Sequence, residues 1–100
     1  MRIEVLYFEG CPNHPRAVDR LKTVLRGEGL PTEITEIEVK DELAAKALKF
    51  FGSPAIRVNG LDIDARLRDI GESAFACRCY PGGLPPEEMI RMALKEARER

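Results

Sequence analysis

Changes in the spacing of apolar residues mark the elements of this chain. Ile3-Glu4-Val5-Leu6-Tyr7-Phe8 is β-branched and aromatic with little polar interruption, which predicts a strand covered on both faces. From Pro15 the apolar residues fall at Val18, Leu21, Val24 and Leu25, with Arg16, Asp19, Arg20, Lys22 and Arg26 between them. Separations of three and four predict an amphipathic helix, ended near Gly27-Glu28-Gly29 and kept from continuing by Pro31. Thr32 to Val39 is rich in β-formers, but Glu33, Glu36 and Glu38 make it half polar, as in a strand at a sheet edge or with one wet face. Asp41 is a predicted N-cap for a second helix, with Leu43, Ala44, Ala47, Leu48 and Phe51 on one side and its end at Gly52. Ala55 to Val58, the dipeptide Asn59-Gly60, and Leu61 to Ile63 predict a hairpin with a type I′ turn.

Arg66 to Leu84 shows no sustained period and predicts a long surface loop, a kind of connection more often functional than idle. Pro86 followed by Glu87 and Glu88 opens a last helix with the apolar stripe Met89, Ile90, Ala93, Leu94 and Ala97. The order is β-α-β-α-β-β-α, an α/β class. The first two strands are expected parallel through a right-handed crossover, and the hairpin adds an antiparallel pair.

One hundred residues with 44% hydrophobic content suit a single domain over 1–100. Sixteen basic residues against 17 acidic ones leave no charge excess that would call for nucleic acid. The start at Met1-Arg2-Ile3-Glu4 runs into a strand pattern, and no apolar run is long enough to cross a bilayer, so a cytoplasmic protein without a membrane partner is expected. Three cysteines are too few for a disulfide scaffold and read better as thiols with chemistry. No cofactor is implied.

Candidate chemistry centres on Gly10-Cys11-Pro12-Asn13-His14-Pro15, where the strand pattern gives way to the helix pattern. Unpaired N–H groups and the positive dipole end at a helix start stabilise a thiolate over a thiol. Gly10 permits a sharp turn, and Pro12 and Pro15 supply helical φ where an N–H has no partner. The alternative is an inert small residue tucked under a helix. The helix-start position favours the reactive reading.

That element order, with a cysteine after the first strand and Ser53-Pro54 just before the third, resembles the thioredoxin family over nearly the whole chain. The resemblance implies a mixed four-stranded sheet with helices on both faces. It places Gly10-Cys11-Pro12-Asn13-His14 where the family carries Cys-x-x-Cys, and Pro54 where it carries a cis-proline. Pro54, Ser53 and Pro12 would then border a bound thiol or disulfide substrate. His14 replaces the family's second cysteine, so the usual dithiol mechanism does not transfer unchanged. The hairpin, continuing as Leu61-Asp62-Ile63-Asp64, lacks the Gly-Gly of a glutathione site. Gly-Cys-Pro, the run Gly52 to Gly60 and Cys77-Arg78-Cys79-Tyr80 are also similar to small bacterial thioredoxin-like proteins described as related to alkylmercury lyase.

A nucleophile without a neighbouring partner needs a resolving thiol, for which Cys77 and Cys79 are the candidates. His14 is placed to hydrogen-bond the Cys11 sulfur or to stabilise its anion; the plain alternative is an exposed helix residue. The expected partner is a thiol- or disulfide-bearing protein or small molecule. A second reading is a soft-metal site for zinc, copper or mercury built from Cys11, Cys77 and Cys79 with His14, with Asp62 or Asp64 as proton donor if carbon–mercury bonds were cleaved. A third is a partner-binding module that keeps the fold without the chemistry. Arg66, Arg68 and Arg78, among Asp62, Asp64, Asp69 and Glu72, read as a solvated mixed-charge loop. Phe50, Phe51 and Phe75 read as core, with Phe75 or Tyr80 as an apolar landing surface should either be exposed.

Overall fold

The computed structural model describes residues 1–68, 73–78, 80 and 82–99, Cys77 by its backbone alone. The described elements, in order, are β1 (Ile3–Tyr7), α1 (His14–Gly27), β2 (Thr35–Glu38), α2 (Glu42–Leu48), β3 (Phe51–Ser53), β4 (Ala55–Val58), β5 (Leu61–Asp62), a 3-10 turn (Ala65–Leu67), β6 (Ala74–Cys77) and α3 (Glu87–Arg98). The chain is thus α/β, with three helices and a mixed four-stranded sheet ordered β2-β1-β4-β5 among the described residues. β1 runs parallel to β2, with Tyr7 opposite Glu38, and antiparallel to β4, with Leu6 opposite Ala55. The β4–β5 hairpin turns at Asn59 (φ 52°) and Gly60 (φ 83°), the positive-φ pair that the Asn-Gly dipeptide supplies.

Alternation along β1 divides the core. Ile3 and Val5 join Ile56, Val58, Val18, Leu21, Val24 and Leu25 of α1, and Ile90, Ala93 and Leu94 of α3. Leu6, one position out of phase, joins Ala55, Val39, Phe50 and Ala45 of α2. The apolar stripes expected of α1 and α3 are buried as their spacing requires. No helix among the described residues is long and apolar enough to cross a membrane.

Two expectations need correction. α2 ends at Leu48, not at Gly52, because Lys49 takes the left-handed cap conformation (φ 53°) and its N–H returns to Ala45 and Lys46. The carbonyls of Leu48 and Lys49 at the helix end both accept hydrogen bonds from Arg57 Nη2. So short a helix turns Ala45 to the core and leaves Leu43 79% exposed, and Phe51 belongs to β3. The presumed loop also carries a strand. β6 pairs in parallel with β3 to make a separate two-stranded sheet, with Phe51 opposite Ala74 and Ser53 opposite Cys77. The strands cross closely at Gly52 (φ 112°), where a Cβ would meet the Ala76 carbonyl oxygen and Arg78 Cβ at 3.1 Å each.

Candidate functional site

β1 leads straight to the proposed nucleophile. The Phe8 N–H donates to Ser53 Oγ (3.3 Å), Gly10 (φ 84°) turns the chain, and the Cys11 N–H closes the turn on the Phe8 carbonyl (3.3 Å). The Cys11 carbonyl then accepts the His14 N–H, and α1 begins at His14. Cys11 therefore sits in the turn ahead of the helix rather than inside its first turn, with Asn13 as N-cap. It is a free thiol, 7% exposed, between the exposed Gly10 and Pro12. The Asn13 side chain does not cap the helix; its amide donates to the Gly83 carbonyl (3.3 Å) and ties the segment before α3 to this junction.

His14, at the start of α1, is engaged by side chains of β1 and β2. Its ring stacks on Tyr7 (centroids 3.7 Å apart, planes 2° from parallel), and Nε2 meets Glu36 Oε1 at 2.5 Å. That hydrogen bond goes to β2 instead of to the sulfur.

The Ser53–Pro54 bond is cis, and both residues are buried. Around them gathers a set of polar contacts. The Ser53 carbonyl accepts the Arg78 N–H (2.9 Å), and the Pro54 carbonyl accepts the Tyr80 hydroxyl (2.8 Å). Arg78 grips Asp62 through two hydrogen bonds, Nη1 to Oδ2 (2.7 Å) and Nη2 to Oδ1 (2.8 Å), and its guanidinium lies 4.7 Å from the Tyr80 ring centroid. Burial opposes charge on Arg78, but the Asp62 hydrogen bonds and the nearby Tyr80, Asp62 and Asp64 outweigh it, and its pKa rises. Burial pushes the Tyr80 phenol well above its ordinary value despite the opposing pull of Arg78.

These contacts correct several expectations. Arg78 is buried rather than part of a solvated loop, because its partner lies sixteen residues back on the hairpin. Arg68 holds the Asp62 carbonyl (2.7 Å) and Glu96, and Arg66 holds Asp64. Asp62 is held in its ion pair, and Asp64 lies below the usual carboxylate range chiefly through the Arg66 side-chain hydrogen bond. Tyr80 is buried and offers no landing surface, whereas Phe75 is 38% exposed and tilts against Phe8 with ring centroids 5.5 Å apart.

Of the loop cysteines, the backbone of Cys77 pairs beside Ser53. The Cys77 side chain and all of Cys79, with Asp69 and Glu72, lie outside the described residues. No group of three or more His, Cys, Asp or Glu side chains suited to a metal occurs among the described residues. The Asp62–Arg78–Tyr80 set and the Asn13–Gly83 tie are what sequence reasoning missed. Neither has a local signal, since each partner lies far away in the chain. Comparison with family models, curated proteins and solved structures gives no match to this chain.

Proposed function

We propose that the chain is a thioredoxin-like thiol-disulfide protein, with Cys11 as nucleophile and Cys77 or Cys79 as resolving thiol. The sheet order β2-β1-β4-β5, with its parallel first pair and antiparallel remainder, supports that fold. So do the apolar clusters formed by alternate residues of β1, one with α1 and α3 and the other with α2, which support helices on both faces. The observation that carries the functional reading is the register of β6. Cys77 stands opposite Ser53, whose hydroxyl accepts the Phe8 N–H just ahead of the free thiol of Cys11. Neighbouring strands lie about 4.8 Å apart. The backbone of a cysteine distant in sequence thus lies one strand beyond the serine that meets the chain just after β1.

The Cys11 thiolate attacks one sulfur of a disulfide-bearing protein or small molecule. The other sulfur leaves as a thiolate and takes up a proton. The second cysteine, as thiolate, then attacks the Cys11 sulfur and expels the remaining half, which is protonated in turn. Two electrons pass to the substrate, which becomes two thiols while the chain gains one internal disulfide.

Thiol titration before and after a mild oxidant tests this. Two thiols per chain should disappear, Cys11→Ser should abolish the crosslink, and Cys77→Ser and Cys79→Ser should identify its partner. An identical crosslink in Cys11→Ser overturns the reading. Stoichiometric metal in native mass spectrometry, lost on replacing any cysteine, would move these thiols to the soft-metal reading.

A further inference from the structure

β6 is an edge among the described strands: it pairs with β3 alone, and the N–H groups of Ala74 and of Arg78, just past its end, point to the carbonyls of Phe50 and Ser53 on that side. Ala74, Phe75 and Ala76 are exposed, and Ala-Phe-Ala-Cys contains no charge and no proline. Charge and proline are two of the devices that stop an edge from pairing with another chain; β6 has instead only its four-residue length and a register shift opposite Phe51 to Ser53. Beside the strand lies an open groove of about 450 Å³ with Phe8, Val39, Phe75 and Ala76 among its lining residues. Its rim carries Glu9, Glu38 and Lys40, all exposed and none in an ion pair among the described residues.

We propose that this edge and groove form a contact between two copies of the chain. Both signs of charge stand unpaired on one rim, and a twofold interface is self-complementary: what one copy presents, the other receives. Two β6 strands pairing antiparallel bring Phe75 of each copy toward the other, and Lys40 of one copy faces Glu9 and Glu38 of its mate, twice over. The proposal is independent of the chemistry assigned to Cys11.

Sedimentation equilibrium with reductant present, from about 10 µM to 1 mM protein, should show a reversible dimer. Phe75→Lys should weaken it at least about tenfold, by burying a charge at its centre. Lys40→Glu alone, and Glu9→Lys with Glu38→Lys, should each weaken self-association. An equimolar mixture of those two variants, one rim acidic and the other basic, should associate as a heterodimer. These side chains are exposed, so unchanged circular dichroism is expected and confirms that the variants fold. A chain monomeric at 1 mM, a dimer indifferent to all three changes, or one that vanishes in reductant overturns the proposal. So does a monomer whose Phe75 NMR signals shift instead with an added extended peptide carrying Phe and Lys.

Discussion

Asp62 and Asp64 stand two residues apart, and each is held by an arginine through a pair of side-chain hydrogen bonds of 2.7–2.9 Å. Surroundings and chain distance separate them. The Asp62 and Arg78 side chains are 5% and 6% exposed and fasten segments sixteen residues apart, whereas Arg66 is 79% exposed and reaches back only two residues. Bond length therefore says little about what a pair does. In water, screening and side-chain entropy leave an exposed pair little net value. Inside, the two charges become hard to separate, because either one left alone must be hidden unpaired.

The largest effect should follow Arg78→Met, which strands the Asp62 carboxylate: a loss of about 3–5 kcal/mol in urea unfolding. Adding Asp62→Leu should restore most of that loss, since neither member of the pair is then left buried without its partner. If the double variant is as unstable as the single one, the pair matters for something other than burying opposite charges. Tyr80→Phe removes the hydroxyl from the Pro54 carbonyl and should cost about 1 kcal/mol near neutral pH.

The same tyrosine sets an alkaline limit. Its folded pKa is raised, so its contribution is complete below the unfolded value near 10.0 and is lost as pH rises beyond it. Tyr80→Phe should flatten that limb of a stability profile. Asp64 works at the other end and more weakly. Its folded pKa is depressed, so its contribution is present above the unfolded value of 3.8 and disappears as pH falls through the lower folded one. Arg66→Ala should remove this contribution, lowering the urea midpoint slightly at neutral pH by an amount that shrinks as pH falls below 3.8. A large neutral-pH loss in that variant would contradict the distinction between the two aspartates.

What could be read from the chain without coordinates was local. The apolar run of β1, the three-and-four spacing of α1 and α3, and the Asn59-Gly60 turn each depend on residues within a few positions of one another. The end of α2 was harder, because a lysine fills the left-handed cap where glycine is the usual signal and Phe50-Phe51 prolongs the apolar run. β6 lay hidden because four residues make no period and its partner, β3, is itself only three residues long. At the candidate site, Cys11 and Pro54 were legible from turn chemistry and resemblance. The buried role of Arg78 was not, because an arginine among polar neighbours reads as surface until the hairpin folds Asp62 beneath it.

The crossing at Gly52 has a further consequence. With a backbone oxygen and the arginine stem at 3.1 Å, and a φ that side chains seldom adopt, any side chain at that position strains the backbone and requires the second sheet to give by a few tenths of an ångström. A single methyl introduced there presses on Ala76 and Arg78, in the layer that carries Cys77, and its nearest neighbours include no residue that joins β1 to β2 or β4. Strain from a side chain at position 52 would therefore fall first on the β3–β6 pair and only afterwards on the four-stranded sheet.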